Sequence, residues 1–441
     1  MTEKVNMDSN LNFDDLEKEI KQKDIKCPKT SKILFILLIG ICLVLASALI
    51  TFIFLYTKKL SDNSKKSQEP SKNQVNNEIE YIDLYNFFGV KYLNLTYDEN
   101  GKIENTFKKN GDNYNESMGE INNGKDYEKN DRNIYDLYIP QYALDRKNET
   151  NGIILWIHGG AWKNHAKEEM ENFCKLYSQQ GYISATVGYT LLFGKHKDFN
   201  IFKILDEITA CIKAIKNKLI EKGFSKDKLL LVIGGYSAGG HLALLYSYLI
   251  KKVDIIPIKF IINFVGPIGL HPKYFYKLKS SNDTLENIES VEIIEQAIKE
   301  GKIIPLHDTD IFLLQFMNGF WGNKYSINEL KNILDKNGKI DENNEKYKEM
   351  LKVAKFGYVT EINDNNKFQT ICIYSGRDDT AGVAQYAYLK QNADKDGRPL
   401  EFIYSRYEGH MLIYPLTSEG RQKLWDISSL LMKYFKNYFG Y

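Results

Sequence analysis

A serine flanked by closely spaced glycines constrains this chain more than any other feature. Ser237 lies in the stretch GYSAGGH (residues 235–241), which follows the apolar run LLLVI (229–233) and precedes the helix-forming run LALL (242–245). Because glycine adopts backbone angles that other residues avoid, this spacing predicts a sharp strand-to-helix turn with the serine hydroxyl exposed at its tip. The pattern G-x-S-x-G also arises by chance in a chain of 441 residues, so the neighbouring motifs decide its meaning.

A second glycine-containing turn lies upstream of the serine. His158, Gly159 and Gly160 directly follow the apolar run IILWI (153–157). Small residues after a buried strand leave backbone N–H groups accessible, and such groups stabilise negative charge on an oxygen atom in a neighbouring site. A glycine-rich turn without this task is the alternative, and the pairing with Ser237 favours the first interpretation.

Two later apolar runs end in candidate partners for the serine. The run 370–374 precedes Asp378 and Asp379, and the run 400–404 precedes His410. The chain order serine, acid, histidine is that of the catalytic triads in which a serine follows a strand. Of the seven histidines, His410 alone follows both aspartates, so it is the predicted base. A surface-loop histidine is the alternative at this position.

With these motifs, residues 133–438 resemble the α/β-hydrolases of the HGG carboxylesterase type. That group includes hormone-sensitive-lipase-like esterases, kynurenine formamidases and prenylcysteine methylesterases. Three further features carry the resemblance: the motif YDLYIP (135–140), Tyr189 after a predicted strand, and Asp206 early in the following helix. The resemblance implies a serine hydrolase that cleaves carboxylic esters through an acyl-enzyme and needs no cofactor.

The resemblance also assigns roles to individual residues. Ser237 is the implied nucleophile and His410 the implied base. The family spacing G-x-x-D, counted from Gly376, selects Asp379 rather than its neighbour Asp378 as the acid. The backbone N–H groups implied for the oxyanion hole are those of Gly160, Ala161 and Ala238. His158 and His241 are expected to be structural.

Composition and charge exclude several other classes of protein. The 59 basic and 57 acidic residues give a net charge of +2, which argues against a nucleic-acid partner. No metal-binding or nucleotide-binding motif occurs, so neither a metal nor a cofactor is expected. Cys174, Cys211 and Cys372 lack paired spacing and are expected to be free and buried.

Strands and helices alternate from about residue 133, which predicts an α/β-hydrolase fold with a mostly parallel central sheet. The alternation breaks at about 270–366, where helical patterns predict an inserted cap over the active site. Within this insertion, Phe316 and Trp321 are expected to line an acyl or alkyl pocket. Plain core packing of these aromatic residues is the alternative.

The segment 33–56 contains 24 residues without a charge and predicts a single transmembrane helix. A cleaved signal peptide is the alternative. The predicted organisation is a charged tail (1–32), the transmembrane helix, a flexible tether (57–78) and a hydrolase domain (79–441). The bilayer is the expected partner of segment 33–56.

The function predicted from the sequence is therefore a membrane-anchored hydrolase of small-molecule esters. An amidase, formamidase or peptidase of the same fold is the alternative, and a non-catalytic adhesion module on a membrane stalk is a third reading. The catalytic domain is expected on the exocytoplasmic side, because four N-glycosylation sequons follow the apolar segment, at Asn94, Asn115, Asn148 and Asn282. The lysines flanking that segment barely discriminate between orientations.

Overall fold

The computed structural model describes residues 78–80, 89–97, 103–104, 133–192, 199–249, 255–280, 282–307, 310–361, 367–412 and 418–440. The chain divides into two units, Met1–Val75 and Asn76–Tyr441, and every described residue belongs to the second. The predicted tail, transmembrane helix and all but the last residue of the tether lie outside the described residues. Within the described ranges, no helix has the length and apolar character needed to span a membrane.

The described residues form twelve strands, ten of them in one sheet. These strands are β1 (Glu78–Glu80), β2 (Gly89–Tyr97), β3 (Ile103–Glu104), β4 (Ile134–Pro140), β5 (Asn151–Ile157), β6 (Ile183–Gly188), β7 (Leu229–Tyr236), β8 (Ile258–Phe264), β9 (Tyr276–Leu278), β10 (Ile303–Pro305), β11 (Gln369–Ser375) and β12 (Leu400–Ser405). The large sheet has the order β1-β2-β4-β6-β5-β7-β8-β11-β12, and β3 pairs with β2. The remaining two strands, β9 and β10, form a separate antiparallel pair.

The sheet is parallel from β6 through β12 and antiparallel among β1, β2, β3 and β4, with β4 antiparallel to β6. This topology is the α/β-hydrolase fold, and the prediction of a mostly parallel central sheet is confirmed. Because parallel strands end on the same edge, the loops after β5, β7, β11 and β12 meet there.

Ten helices cover the sheet or belong to the insertion. They are α1 (Gln141–Leu144), α2 (Glu171–Gln179), α3 (Ile201–Glu221), α4 (Ala238–Leu249), α5 (Val291–Lys299), α6 (Ile311–Phe320), α7 (Ile327–Lys331), α8 (Glu345–Ala354), α9 (Gln385–Asp396) and α10 (Ser418–Phe439) within the described residues.

Two apolar clusters lie on opposite faces of the sheet, as the alternation of side chains along β5 shows. Ile153, Leu155 and Ile157 pack in one cluster with α3 and α4, whereas Ile154 and Trp156 pack in the other with α2 and α10. Burial of β5 on both faces explains its continuous apolar sequence. As predicted, Cys174, Cys211 and Cys372 are free and buried.

The region between β8 and β11 contains the antiparallel pair β9–β10, whose connection includes α5, and helices α6 to α8. The sequence predicted helices here but not the strand pair. Helix α6 packs on the loop after β5, where the rings of Phe316 and Phe320 lie 5.4 and 5.2 Å from that of Trp162. Phe316 is buried in the main core, so the alternative of core packing, rather than a pocket wall, describes this residue.

Candidate active site

Ser237 occupies the predicted sharp turn between β7 and α4. Its φ of 54° is in the left-handed region, which non-glycine residues seldom adopt. The glycines on either side allow close backbone approach: a Cβ at Gly235 would lie 2.2 Å from the backbone of Gly239, and one at Gly239 would lie 2.0 Å from the Ile157 oxygen. The sequence prediction of a strained turn that presents a serine is therefore confirmed.

A chain of hydrogen bonds connects Ser237 to His410 and then to an aspartate. His410 Nε2 lies 2.8 Å from Ser237 Oγ, and His410 Nδ1 lies 2.9 Å from Asp378 Oδ2. With a proton on Nδ1, the imidazole donates to the carboxylate and accepts from the serine hydroxyl. Asp378 is fully buried, and Ser237 and His410 are each 8 % exposed. The hydrogen-bonded side chains are therefore largely shielded from water, with a small accessible area at the serine and the histidine.

The partner of His410 is Asp378, which corrects the sequence prediction of Asp379. The second carboxyl oxygen of Asp378 accepts from three backbone N–H groups, those of Thr380, Ala381 and Gly382, at 2.9, 2.8 and 3.2 Å. These bonds wrap the loop around the Asp378 side chain and direct it inward. Asp379 is exposed, and its carboxylate accepts from the Thr380 hydroxyl at 3.3 Å.

The charges near His410 favour its protonated form. Burial lowers the pKa of His410, but the charge of Asp378, its hydrogen bond and the charge of Asp379 outweigh burial and raise the pKa above its ordinary value. The imidazole is thus a stronger base than one exposed to water.

The predicted oxyanion-hole residues lie in two turns beside the serine. Gly160 and Ala161 have φ values of 89° and 50°, and Ala238 is the first residue of α4. A Cβ at Gly159 would lie 3.1 Å from the Ser237 Cβ. The loop that follows β5 (residues 158–163), here called the glycine loop, therefore passes close to the serine. Among the described residues, none accepts a hydrogen bond from the N–H groups of Gly160, Ala161 and Ala238.

Tyr189 and His158 stabilise the glycine loop through hydrogen bonds and ring stacking. The Tyr189 hydroxyl lies 3.1 Å from the carbonyl oxygens of both His158 and Gly159, and its ring stacks on the His158 ring at 4.3 Å. Burial lowers the pKa of His158 to about 3, so this imidazole is neutral at physiological pH.

His241 has a similar supporting position on the other side of the loop. Trp162 Nε1 donates to His241 Nδ1 at 3.2 Å, and His241 Nε2 donates to the Gly357 carbonyl at 2.7 Å. Burial lowers the pKa of His241 to about 4. These contacts agree with the predicted structural roles of both histidines.

Two contributions to the site were not predicted from the sequence. The Tyr236 hydroxyl donates to the His410 carbonyl at 2.8 Å and so ties the base-bearing loop to the strand that carries Ser237. Glu207 is buried and accepts from the Thr190 N–H and hydroxyl at 2.7 and 2.5 Å, whereas the predicted family residue Asp206 is exposed. The position of Tyr236 directly before Ser237 was the sequence feature that could have indicated its contact with the His410 carbonyl.

The described residues have the α/β-hydrolase fold, with a hydrogen-bonded serine in the turn after β7. Residues 135–298 match the BD-FAE family model. The matched residues include the glycine loop and the serine turn, and they end before Asp378 and His410. The resemblance to α/β-hydrolases stated from the sequence is therefore confirmed.

Several solved structures are similar to this chain. Inhibited esterase B from Lactobacillus Rhamnosis is 13% identical over 88% of this chain and 97% of that one, with a TM-score of 0.45. The hyperthermophilic esterase from Pyrobaculum calidifontis is 16% identical over 67% and 79%, with a TM-score of 0.42. An arylesterase is 18% identical over 69% and 81%, with a TM-score of 0.42. The search of curated proteins gave no match.

Proposed function

We propose that this protein hydrolyses small carboxylic esters, with Ser237 as nucleophile, His410 as general base and Asp378 as the acid that orients it. The observation that carries the proposal is the continuous hydrogen-bond chain from the Ser237 hydroxyl through the imidazole to the buried carboxylate. A serine hydroxyl is a weak nucleophile, and a neutral imidazole in this position is the group that activates it.

In the first half of the reaction, His410 Nε2 takes the Ser237 proton while Oγ attacks the ester carbonyl. Asp378 holds the proton on Nδ1 and stabilises the imidazolium that forms. The imidazolium then donates its Nε2 proton to the leaving alcohol, and an acyl-enzyme remains. In the second half, His410 takes a proton from water as the water oxygen attacks the acyl carbonyl. The bond from the acyl carbon to Oγ then breaks, the imidazolium returns its Nε2 proton to Ser237, and the carboxylic acid is released.

The backbone N–H groups of Gly160, Ala161 and Ala238 are proposed to stabilise the oxyanion of each tetrahedral intermediate. These N–H groups lie beside Ser237 and donate no hydrogen bond to a described residue, which supports this role. The positive φ angles at positions 160 and 161 turn the loop so that it stays close to the serine.

Turnover of 4-nitrophenyl butyrate by the purified full chain in detergent tests this proposal. We expect hydrolysis, and we expect Ser237→Ala to lower kcat by roughly three or more orders of magnitude, because only binding and the oxyanion hole remain. The matched 4-nitroanilide should be a much poorer substrate. Faster cleavage of the anilide than of the ester would favour an amidase instead.

We further propose that residues 33–56 anchor the protein in a membrane, with the catalytic unit on the exocytoplasmic side. The length and lack of charge of this segment support the anchor, and the four downstream sequons support the orientation. Protease added to intact cells should digest the catalytic unit. Full protection until the cells are permeabilised would contradict the orientation.

A further inference from the structure

The glycine loop contains three consecutive residues with backbone angles that proteins seldom use in a row. Gly160, Ala161 and Trp162 have φ values of 89°, 50° and 58°, all in the left-handed region. Residues with a side chain rarely adopt this region, and then as single residues, because their Cβ is crowded by the backbone. The Gly160 carbonyl closes the turn by accepting from the N–H groups of Lys163 and Asn164 at 3.0 and 2.9 Å. The unfavourable angles at positions 161 and 162 persist only where contacts from elsewhere in the molecule hold them.

Trp162 makes the contacts that hold this turn. Its carbonyl accepts from the Leu192 N–H at 2.7 Å. Its side chain is buried, and its ring lies 5.3 Å from that of His241 and within 5.4 Å of those of Phe316 and Phe320. Ring packing of this kind fills space without fixing one direction, whereas a hydrogen bond is directional. The bond from Trp162 Nε1 to His241 Nδ1 therefore sets the orientation of the indole.

His241 connects this bond to the helix that follows the nucleophile. It lies four residues after Ser237 in α4, and its backbone N–H donates to the Ser237 carbonyl at 3.1 Å. Its Nε2 donates to the Gly357 carbonyl, which leaves Nδ1 as the acceptor for the indole. Burial lowers the pKa of His241 to about 4, so Nδ1 keeps its lone pair at neutral pH. One buried side chain thus joins the serine helix to the glycine loop.

We propose that His241 and Trp162 are positioning residues, whose mutual hydrogen bond fixes the N–H groups of Gly160 and Ala161 in place beside Ser237. This inference rests on the proposed ester hydrolysis, because these N–H groups act only where an oxyanion forms. Without the bond, the unfavourable angles of the loop can relax and the donors move away from the oxyanion. Donors held in place stabilise the transition state more than the bound ester, so their displacement should lower kcat and change KM little.

An ester and a thionoester that differ in one atom test this proposal. The probes are 4-nitrophenyl butyrate and its analogue with C=S in place of C=O, turned over by the purified full chain in detergent. Sulfur accepts hydrogen bonds more weakly than oxygen, so the N–H groups contribute more to cleavage of the ester.

Trp162→Phe removes the donor of the hydrogen bond and keeps an aromatic ring. We expect kcat for the ester to fall about ten- to thirtyfold and kcat for the thionoester at most about threefold. KM for the ester should stay within about twofold of wild type. A smaller amount of folded protein lowers both kcat values alike, so the ratio of ester to thionoester reports the oxyanion contacts and not stability.

His241→Phe removes the acceptor and should lower the same ratio. Combining the two substitutions should lower it no further than either one alone, because both remove one bond. A combined loss equal to the product of the two single losses would contradict a shared bond. Circular dichroism shows which variants are folded, and the folded single variant decides the test where the other does not fold.

Trp156→Phe is the matched control for the loss of an indole. Trp156 is fully buried on β5, and its Nε1 donates to no residue in the described part of the chain. Both tryptophan variants should lower the melting temperature, and only Trp162→Phe should lower the ratio of ester to thionoester. An equal fall of the ratio in both, or equal losses on ester and thionoester in Trp162→Phe, would overturn the proposal.

The same measurements separate this inference from the proposed function. If wild type cleaves the ester and the ratio is unchanged in Trp162→Phe and His241→Phe, the positioning role fails and ester hydrolysis stands. If wild type cleaves neither compound, ester hydrolysis fails and the positioning role fails with it.

Discussion

Asp378 and Asp379 are adjacent, and only the side chain of Asp378 reaches His410. The motif count from Gly376 selected Asp379, but three backbone N–H groups fold the loop around Asp378 instead. Adjacent residues leave a strand end in different directions, so a spacing rule that is off by one selects the exposed side chain. The same offset occurs in α3, where Glu207 is buried and Asp206 is exposed.

Separate asparagine substitutions distinguish the two aspartates. We expect Asp378→Asn to lower kcat by roughly three to four orders of magnitude, because an amide cannot hold the imidazole in the tautomer that accepts the serine proton. Asp379→Asn leaves the hydrogen bond between Asp378 and His410 in place. This variant should retain activity within about tenfold of wild type. The reverse order of effects would reinstate Asp379 as the acid.

The pH dependence of kcat/KM follows from the environment of His410. The imidazole must be neutral to accept a proton, so activity should fall as the pH is lowered through its pKa. Burial lowers that pKa, but Asp378 and Asp379 raise it further than burial lowers it, so the acid limb should lie above the ordinary histidine value.

Asp379→Asn removes one of these negative charges, and its acid limb should move to lower pH than that of wild type. The measurement is kcat/KM for a neutral ester over about pH 5 to 9. A limb that stays in place, or that moves to higher pH, would show that Asp379 does not act on the His410 charge.

At the scale of secondary-structure elements, the central strands were predictable and the insertion was not. Strands β5, β7 and β11 are buried on both faces, so their apolar runs mark them in the sequence. The antiparallel pair β9–β10 has three residues per strand, and neither strand pairs with another strand of the described residues. Such short strands have no periodicity to recognise, and their location depends on long-range contacts such as Val383 to Tyr276.

Helix α6 changes the expected effect of a substitution at Phe316. The sequence pattern predicted that this ring lines a pocket, but the ring is 1 % exposed and packs on Trp162. Phe316→Ala should therefore lower the free energy of unfolding by about 3 to 5 kcal/mol and reduce activity on all esters alike.

Phe202→Ala is the control, because Phe202 is an exposed aromatic residue on α3, with 43 % of its surface accessible. It should cost at most about 1 kcal/mol. Thermal unfolding of the full chain in detergent, followed by circular dichroism, measures both. A selective shift in acyl-length preference with unchanged stability in Phe316→Ala would restore the pocket-wall interpretation.

At the scale of the whole molecule, chain order determined more of the site than local sequence did. The parallel sheet brings the ends of β5, β7, β11 and β12 to one edge. The order serine, acid, histidine therefore predicted that Ser237 and His410 would lie close together, and His410 Nε2 lies 2.8 Å from Ser237 Oγ. The tie from Tyr236 to the His410 carbonyl spans 174 residues, and no local pattern encodes such a contact.

The proposed membrane attachment through residues 33–56 also belongs to the scale of the whole molecule, and it gives a direct prediction. Replacing both Leu43 and Leu45 by arginine introduces two charges near the centre of the segment, at about 2.5 to 3.5 kcal/mol each. We expect wild type to resist extraction with alkaline carbonate and the double variant to be extracted. Asn63→Arg, outside the segment, should behave as wild type. Extraction of the wild type would contradict the anchor.

The central claim is that His410, held by Asp378, makes Ser237 a nucleophile. An alkyl fluorophosphonate tests it most directly, because the reagent forms a stable covalent adduct with an activated serine and with few others. Mass spectrometry of the digested protein should locate one adduct, at Ser237, with labelling lost in Ser237→Ala and slowed about a hundredfold or more in Asp378→Asn. Equal labelling of wild type and Ser237→Ala, or an adduct at another serine, would contradict the account.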